Sequence, residues 1–256
     1  IFSDAYTGFA WSGGGDLRLN VYQDGPMFID FVGGARLQHI GVTNELLFGL
    51  SDQASFVIPH GSVQIERTGN WSRYHMSVGV EGNVLSHSES ELTRFGLLTG
   101  RLPIADRWAR LNWAGSISTF LEPLLDPEGW GDPSTPATST LAHEVLFGVS
   151  GQYAFGSRLM PQFQSVVGGP GTNRGYPVSI VAGDNALNLT GEYRFHVPRA
   201  FGIQPEPGTL FGEPFRMAPQ HVYGVPDWDL ALLGFVDYSW LTQNDKLFYE
   251  SDQGPT

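Results

Sequence analysis

The sequence predicts an all-β fold, and within that class a transmembrane antiparallel β-barrel. Three observations carry this expectation. Apolar and polar residues alternate with period 2 over long stretches, so each strand has one oily face and one wet face. The alternating segments run to roughly 10 to 14 residues, against about 5 to 6 for a soluble strand and about 9 to 11 for a tilted bilayer crossing. Charged residues make up only 16%, while 33 glycines and 13% aromatics favour strands and turns over helices. Alternation alone also fits a soluble β-sandwich or barrel, and that reading stands beside the membrane one at this point.

The elements follow in chain order. Leu17, Leu19 and Val21 form a first short run, and Val63 with Ile65 a second. Tyr74, Met76, Val78, Val80, Gly82 and Val84 then alternate with His75, Ser77, Gly79, Glu81 and Asn83. Leu111, Trp113, Gly115, Ile117 and Leu121 alternate with Asn112, Ala114, Ser116 and Ser118. The clearest case sets Leu187, Leu189, Gly191, Tyr193, Phe195 and Val197 against Asn188, Thr190, Glu192, Arg194 and His196. Aromatics near strand ends (Trp11, Trp71, Tyr74, Trp108, Phe120, Trp228, Tyr238, Trp240) read as a girdle at the lipid–water boundary. Gly13-Gly14-Gly15, Gly69-Asn70, 126–136 and 204–219 read as breaks between strands. The proline-rich stretches 126–136 and 205–226 are expected to be long exposed loops on one side, with short turns opposite. A cadence of about 18 to 20 residues implies about 13 strands.

Composition also excludes. The net charge of −12 argues against a nucleic-acid partner, because phosphate binding needs a basic face. The absence of cysteine rules out disulfides and thiolate metal sites. No apolar run is long enough for a helical span, and no signal peptide is read at Ile1. No G-x-S-x-G elbow or H-E-x-x-H motif is present, and the seven histidines are scattered without metal-ligand spacing. Asp227 and Asp229 could share a strand face as paired carboxylates, but rim charges are the simpler reading. No enzyme activity, cofactor or metal is therefore expected.

The informative segment is 162–185, QFQSVVGGPGTNRGYPVSIVAGDN. It holds five glycines and one arginine, and glycines permit positive φ and close backbone approach. Its run GGPGTNRGYP resembles the signature loop of the outer-membrane insertase and two-partner-secretion superfamily, in which a Gly-Gly pair precedes an Arg-Gly-Tyr/Phe triplet. GDN at 183–185, GEYRFHVPR at 191–199 and FVD at 235–237 follow in the same order. Together the four blocks resemble the C-terminal barrel of the haemolysin secretion/activation family, the TpsB transporters. Residues 160–241 carry the match, and 1–143 share only the strand pattern.

The resemblance implies a 16-stranded barrel preceded by periplasmic POTRA domains. Residues 1–256 are thus expected to be a truncated outer-membrane barrel domain, lacking POTRA domains and the last strands. It implies a monomeric barrel in the bacterial outer membrane that secretes or activates a partner polypeptide of haemolysin or adhesin type. Assembly of other barrels is the alternative within that class, and a passive porin or barrel enzyme the alternative outside it. It also implies that the loop, through Gly168, Gly169, Arg174, Gly175 and Tyr176, folds into the lumen and that Arg174 meets Asp237, with Glu192 nearby. Alternation supports half of this independently. Glu192 lies on the polar side of its strand and Asp237 lies between Val236 and Tyr238. A carboxylate turned to lipid costs several kcal/mol, so both should face inward.

Overall fold

The computed structural model describes residues 6–44, 49–131 and 140–248. The chain opens with four long strands, β1 (Tyr6–Asp24), β2 (Met27–Asn44), β3 (Leu50–Thr68) and β4 (Ser72–Asn83). Helix α1 (Glu89–Thr99) precedes β5 (Trp108–Phe120), and the short helices α2 (Glu122–Leu125) and α3 (Pro127–Gly131) precede β6 (His143–Tyr153). The three-residue strands β7 (Ser165–Val167) and β8 (Val181–Gly183) lie between β6 and β9 (Asn185–His196). A single helical turn, α4 (Val197–Ala200), and a small hairpin of β10 (Gly208–Leu210) and β11 (Glu213–Phe215) lead to β12 (Ala231–Thr242). Eight strands form one antiparallel sheet in the order β1-β2-β3-β4-β5-β6-β9-β12, while β7–β8 and β10–β11 are separate two-stranded pairs.

Register carries the alternation across the whole sheet. Asp237 pairs with Thr190, Thr190 with Gly148, Gly148 with Ser116, and Ser116 with His75, so one row of small and polar residues runs through five strands. The opposite face is apolar and open: Leu17, Phe31, Met76, Ile117, Phe147 and Val236 are all exposed. A sheet face this apolar has no counterpart within the described chain to bury it.

The polar face is covered at one end by a core. Ile40, Phe56 and Ile58 of β2 and β3 pack with Phe95 of α1, Trp108 of β5, and Leu159, Met160 and Phe163 from the connection after β6. Phe163 meets Phe56 edge-on at 5.1 Å between ring centroids, a favoured aromatic geometry. α1 forms here because Ser88 caps it and Glu91 completes a reciprocal capping box, while Gly100 closes it at φ 74°.

Several expectations are corrected. Among the described residues no closed barrel forms, and β1 and β12 are the two edges of the sheet. Twelve strands are described, against about 13 expected, but only eight belong to the sheet. The spacing between sheet strands exceeds the expected cadence, because β1, β2 and β3 alone reach 18 to 19 residues and 84–107, 154–184 and 197–230 are mostly helix and loop. Long connections consequently leave from both ends of the sheet. Gly13-Gly14-Gly15 is no turn: it sits inside β1, where a Cβ on Gly14 would lie 2.6 Å from the Ala35 carbonyl oxygen. The glycine admits the neighbouring backbone. Trp108 belongs to no girdle, being buried at 4% exposure on the covered face. Within 126–136, residues 127–131 form α3 and 132–136 lie outside the described residues. The 205–226 stretch is a loop that carries the β10–β11 hairpin.

Candidate functional site

The connection from β6 to β9 builds the site. After β6 the chain turns under the sheet, burying Leu159, Met160 and Phe163, and β7 then pairs with β8 as the root of a hairpin. Above that root, residues 168–176 fold on themselves. The Gly169 amide donates to the Tyr176 carbonyl at 3.1 Å, and the Asn173 amide donates to the Gly169 carbonyl at 3.1 Å. The Gly168 amide donates to the Thr172 hydroxyl at 2.8 Å. Gly168 and Gly169 adopt φ of 112° and 88°, and a Cβ on Gly168 would lie 2.1 Å from the Pro177 carbonyl oxygen. Both backbone conformation and space therefore demand glycine. Gly168→Ala is expected to destabilise the closed loop by about 2 kcal/mol or more, seen as faster proteolysis within 168–180 of the folded protein.

This fold delivers Arg174 to the polar face of β9 and β12. Its Nε and Nη2 donate to the two oxygens of Asp237 at 2.8 and 2.9 Å, and its backbone amide donates to Asp237 Oδ2 at 2.9 Å. Nη1 donates to Glu192 Oε2 at 2.6 Å. The register explains why one side chain reaches both acids. Asp237 pairs with Thr190 and Phe235 with Glu192, so the carboxylates are diagonal neighbours on adjacent strands. The guanidinium lies 3.7 Å from the centroid of the Phe235 ring, which closes the remaining side. The acids are almost fully covered, at 5% and 3% side-chain exposure, against 24% for Arg174. Hydrogen bonds donated to Asp237, then to Glu192, push the pKa of the Arg174 guanidinium above its usual value, so the clamp is permanently charged.

The two acids differ in their other partners. Asp237 accepts additionally from the Thr190 hydroxyl at 3.1 Å. Glu192 is shared with Arg194, which also lies 3.7 Å from Glu144. Glu144 in turn contacts Ser118 and takes the His196 ring at 2.9 Å. The clamp thus continues as a charged chain along the polar face toward the start of β6.

Every residue expected in the loop and its acidic partners lies in this one place. Arg174, Asp237 and Glu192 touch directly, Gly168, Gly169 and Gly175 supply positive φ, and Tyr176 contributes its carbonyl while its side chain is 41% exposed. Sequence reasoning missed a second buried pair at the root of the loop. Asp184, wholly buried, pairs with Arg101 beyond α1 and accepts the Leu159 amide at 2.9 Å and the Asn244 amide at 2.8 Å. The only sequence signal was Asp184 as the middle of the GDN block; nothing pointed to Arg101. Asp227 and Asp229 do not form a carboxylate pair, since Asp227 accepts the Arg216 amide and Asp229 lies 3.9 Å from His196. Among the described residues no cluster of three or more His, Asp or Glu side chains is placed to hold a metal ion.

Fold and site define an all-β protein whose one large antiparallel sheet carries, on its polar face, a glycine-shaped loop clamped by one arginine to two carboxylates. Compared with models of known protein families and with curated proteins, the chain matches none.

Proposed function

We propose that the chain is the barrel region of a bacterial outer-membrane transporter that secretes or activates a partner polypeptide, of the haemolysin secretion/activation type. The observation that carries this reading is the Arg174 clamp. A loop rich in glycine lies on the polar side of the wall and is held there by three hydrogen bonds to Asp237 and one to Glu192. The opposite face, apolar and exposed across all eight strands, suits contact with lipid hydrocarbon. In this reading the sheet closes in the membrane with further strands, because open edges are not tolerated in lipid.

The clamp works as a latch. Ion pairs of this kind add little net stability but specify one arrangement, and a loop so held can block a lumen and leave it. No nucleotide or redox group is needed for such a cycle. The test is Arg174→Ala in the whole transporter, scored for both secretion of the partner and insertion of the barrel. The expected result is normal insertion with secretion reduced by about tenfold or more, the size of one lost charge-assisted contact. Unchanged secretion with normal insertion overturns the reading.

A further inference from the structure

We infer that the 197–230 segment, together with α2 and α3, is a docking surface for an extended polypeptide that alternates basic and apolar residues. The inference rests on the transport reading for its biological occupant, the polypeptide being transported. The surface itself is defined by three features that the clamp does not explain.

The first is an exposed apolar set on an ordered scaffold. Phe211 is 99% exposed, Val225 83% and Leu125 82%; Phe201 stacks on Trp228, and the Trp130 ring of α3 lies 6.1 Å from the Tyr223 ring, which joins the two segments. The segment is not loose. Gln204 accepts the Met217 amide at 2.8 Å and donates its own amide to Pro219, Trp228 Nε1 donates to the Met217 carbonyl at 2.9 Å, and Ala218 and Val222 are buried beneath. Large apolar side chains held rigidly in water mark interaction surfaces.

The second is the backbone at the hairpin tip. Leu210 pairs with Glu213, so Phe211 and Gly212 are the two central residues of the turn, at φ 53° and 92°. Such a turn favours Asn-Gly, and a phenylalanine at positive φ is strained. The chain accepts that strain at a residue that is 99% exposed. Among the described residues no further strand pairs with the outer edges of β10 and β11, which suits addition of an extended strand.

The third is charge. Residues 121–131 hold three carboxylates and 197–230 hold four, against two arginines. Groups of both signs have internal partners: Arg199 donates to the Val222 and Gly224 carbonyls and Arg216 to the Pro205 carbonyl, while Glu122 accepts the Ala142 and His143 amides and Asp227 the Arg216 amide, so the excess of carboxylates remains. The surface is thus acidic between its apolar groups, which selects a basic apolar chain. The same acidity argues against an anionic lipid surface, which attracts basic segments.

The whole transporter in detergent micelles is titrated with a fluorescent decapeptide alternating lysine with valine or phenylalanine, and with the same peptide carrying glutamate for lysine. The expected result is about tenfold tighter binding of the lysine peptide, weakened about tenfold by Phe211→Asn. That substitution installs the Asn-Gly pair the turn prefers, so the hairpin is kept while the ring is lost. Equal affinity for the two peptides, or unaltered binding by the Phe211→Asn variant, overturns the proposal. So does a Phe211→Asn variant that releases phosphatidylglycerol-containing vesicles while its peptide titration is unchanged, which makes the surface a lipid contact. Arg174→Ala should leave the titration unchanged. Peptide binding that survives when secretion proves independent of Arg174 therefore upholds the surface and removes only the transport reading. Secretion that depends on Arg174 without any peptide binding does the reverse.

Discussion

Asp237→Ala is expected to free residues 168–176 from the polar face while leaving the eight-stranded sheet folded. Asp237 supplies three of the four hydrogen bonds that Arg174 makes to the two acids, including the one to its backbone amide. Without it the guanidinium keeps one oxygen of Glu192, an acid already shared with Arg194. The full cost of breaking a buried pair is about 3–5 kcal/mol, and partial access of solvent to Arg174 lowers this to about 2–4 kcal/mol. At 1.4 kcal/mol per tenfold, the open loop becomes about 30 to 700 times more populated. Trypsin provides the readout, because the bond after Arg174 is cleavable only when that side chain leaves its clamp. Glu192→Gln should act more weakly, by about 1 kcal/mol, since the amide oxygen still accepts from Nη1. Faster cleavage in the Glu192→Gln variant than in Asp237→Ala would show that the latch is held from β9 and not from β12.

The asymmetry between these two acids shows what could and could not be read in the sequence. Alternation along β9 and β12 placed Glu192 and Asp237 on the polar face, because a period of 2 assigns every side chain to a side. It says nothing about which residues of neighbouring strands stand opposite, so the pairing of Phe235 with Glu192, and hence the ring under the guanidinium, was not legible. The loop was legible in composition alone, since few backbones need glycine at 168, 169 and 175 together. The strand count was less accessible. Glycines 13–15 look like a turn, yet they lie inside β1, where Gly14 lacks a side chain because the β2 backbone approaches it closely, and composition cannot separate these uses. Trp108 fits a girdle by position and is buried instead, because α1 and Phe163 arrive from elsewhere in the chain to cover it. α1 itself carries a Ser-x-x-Glu cap from Ser88 to Glu91, a signal that the period-2 reading around it passed over.

The pair Arg101–Asp184 is the strongest case of a contact hidden from sequence, its partners being 83 residues apart, and Asp184→Asn is expected to be the most destabilising single change. Asp184 has no solvent exposure and Arg101 only 7%. Its carboxylate accepts from Leu159, Gln164 and Asn244 as well as from Arg101, so it binds together the end of α1, the turn after β6, the β8–β9 junction and the turn after β12. An asparagine there retains one acceptor oxygen, adds two donors and removes the carboxylate charge that faces Arg101. The expected loss is about 3–5 kcal/mol. Arg101→Met should cost less, about 2–3 kcal/mol, because the carboxylate keeps its amide donors. The double variant should fall short of the sum by about 2 kcal/mol, the signature of direct coupling. Urea unfolding in micelles can follow this through the fluorescence of Trp108, which lies in the core these segments enclose. The clamp at Arg174 should loosen along with this pair, since Asp184 follows directly on β8, the strand from which the loop hangs. The converse does not hold: Asp237→Ala opens the loop above an intact root, so its unfolding should stay a single transition and its loss of stability should not exceed the about 2–4 kcal/mol that the closed clamp contributes.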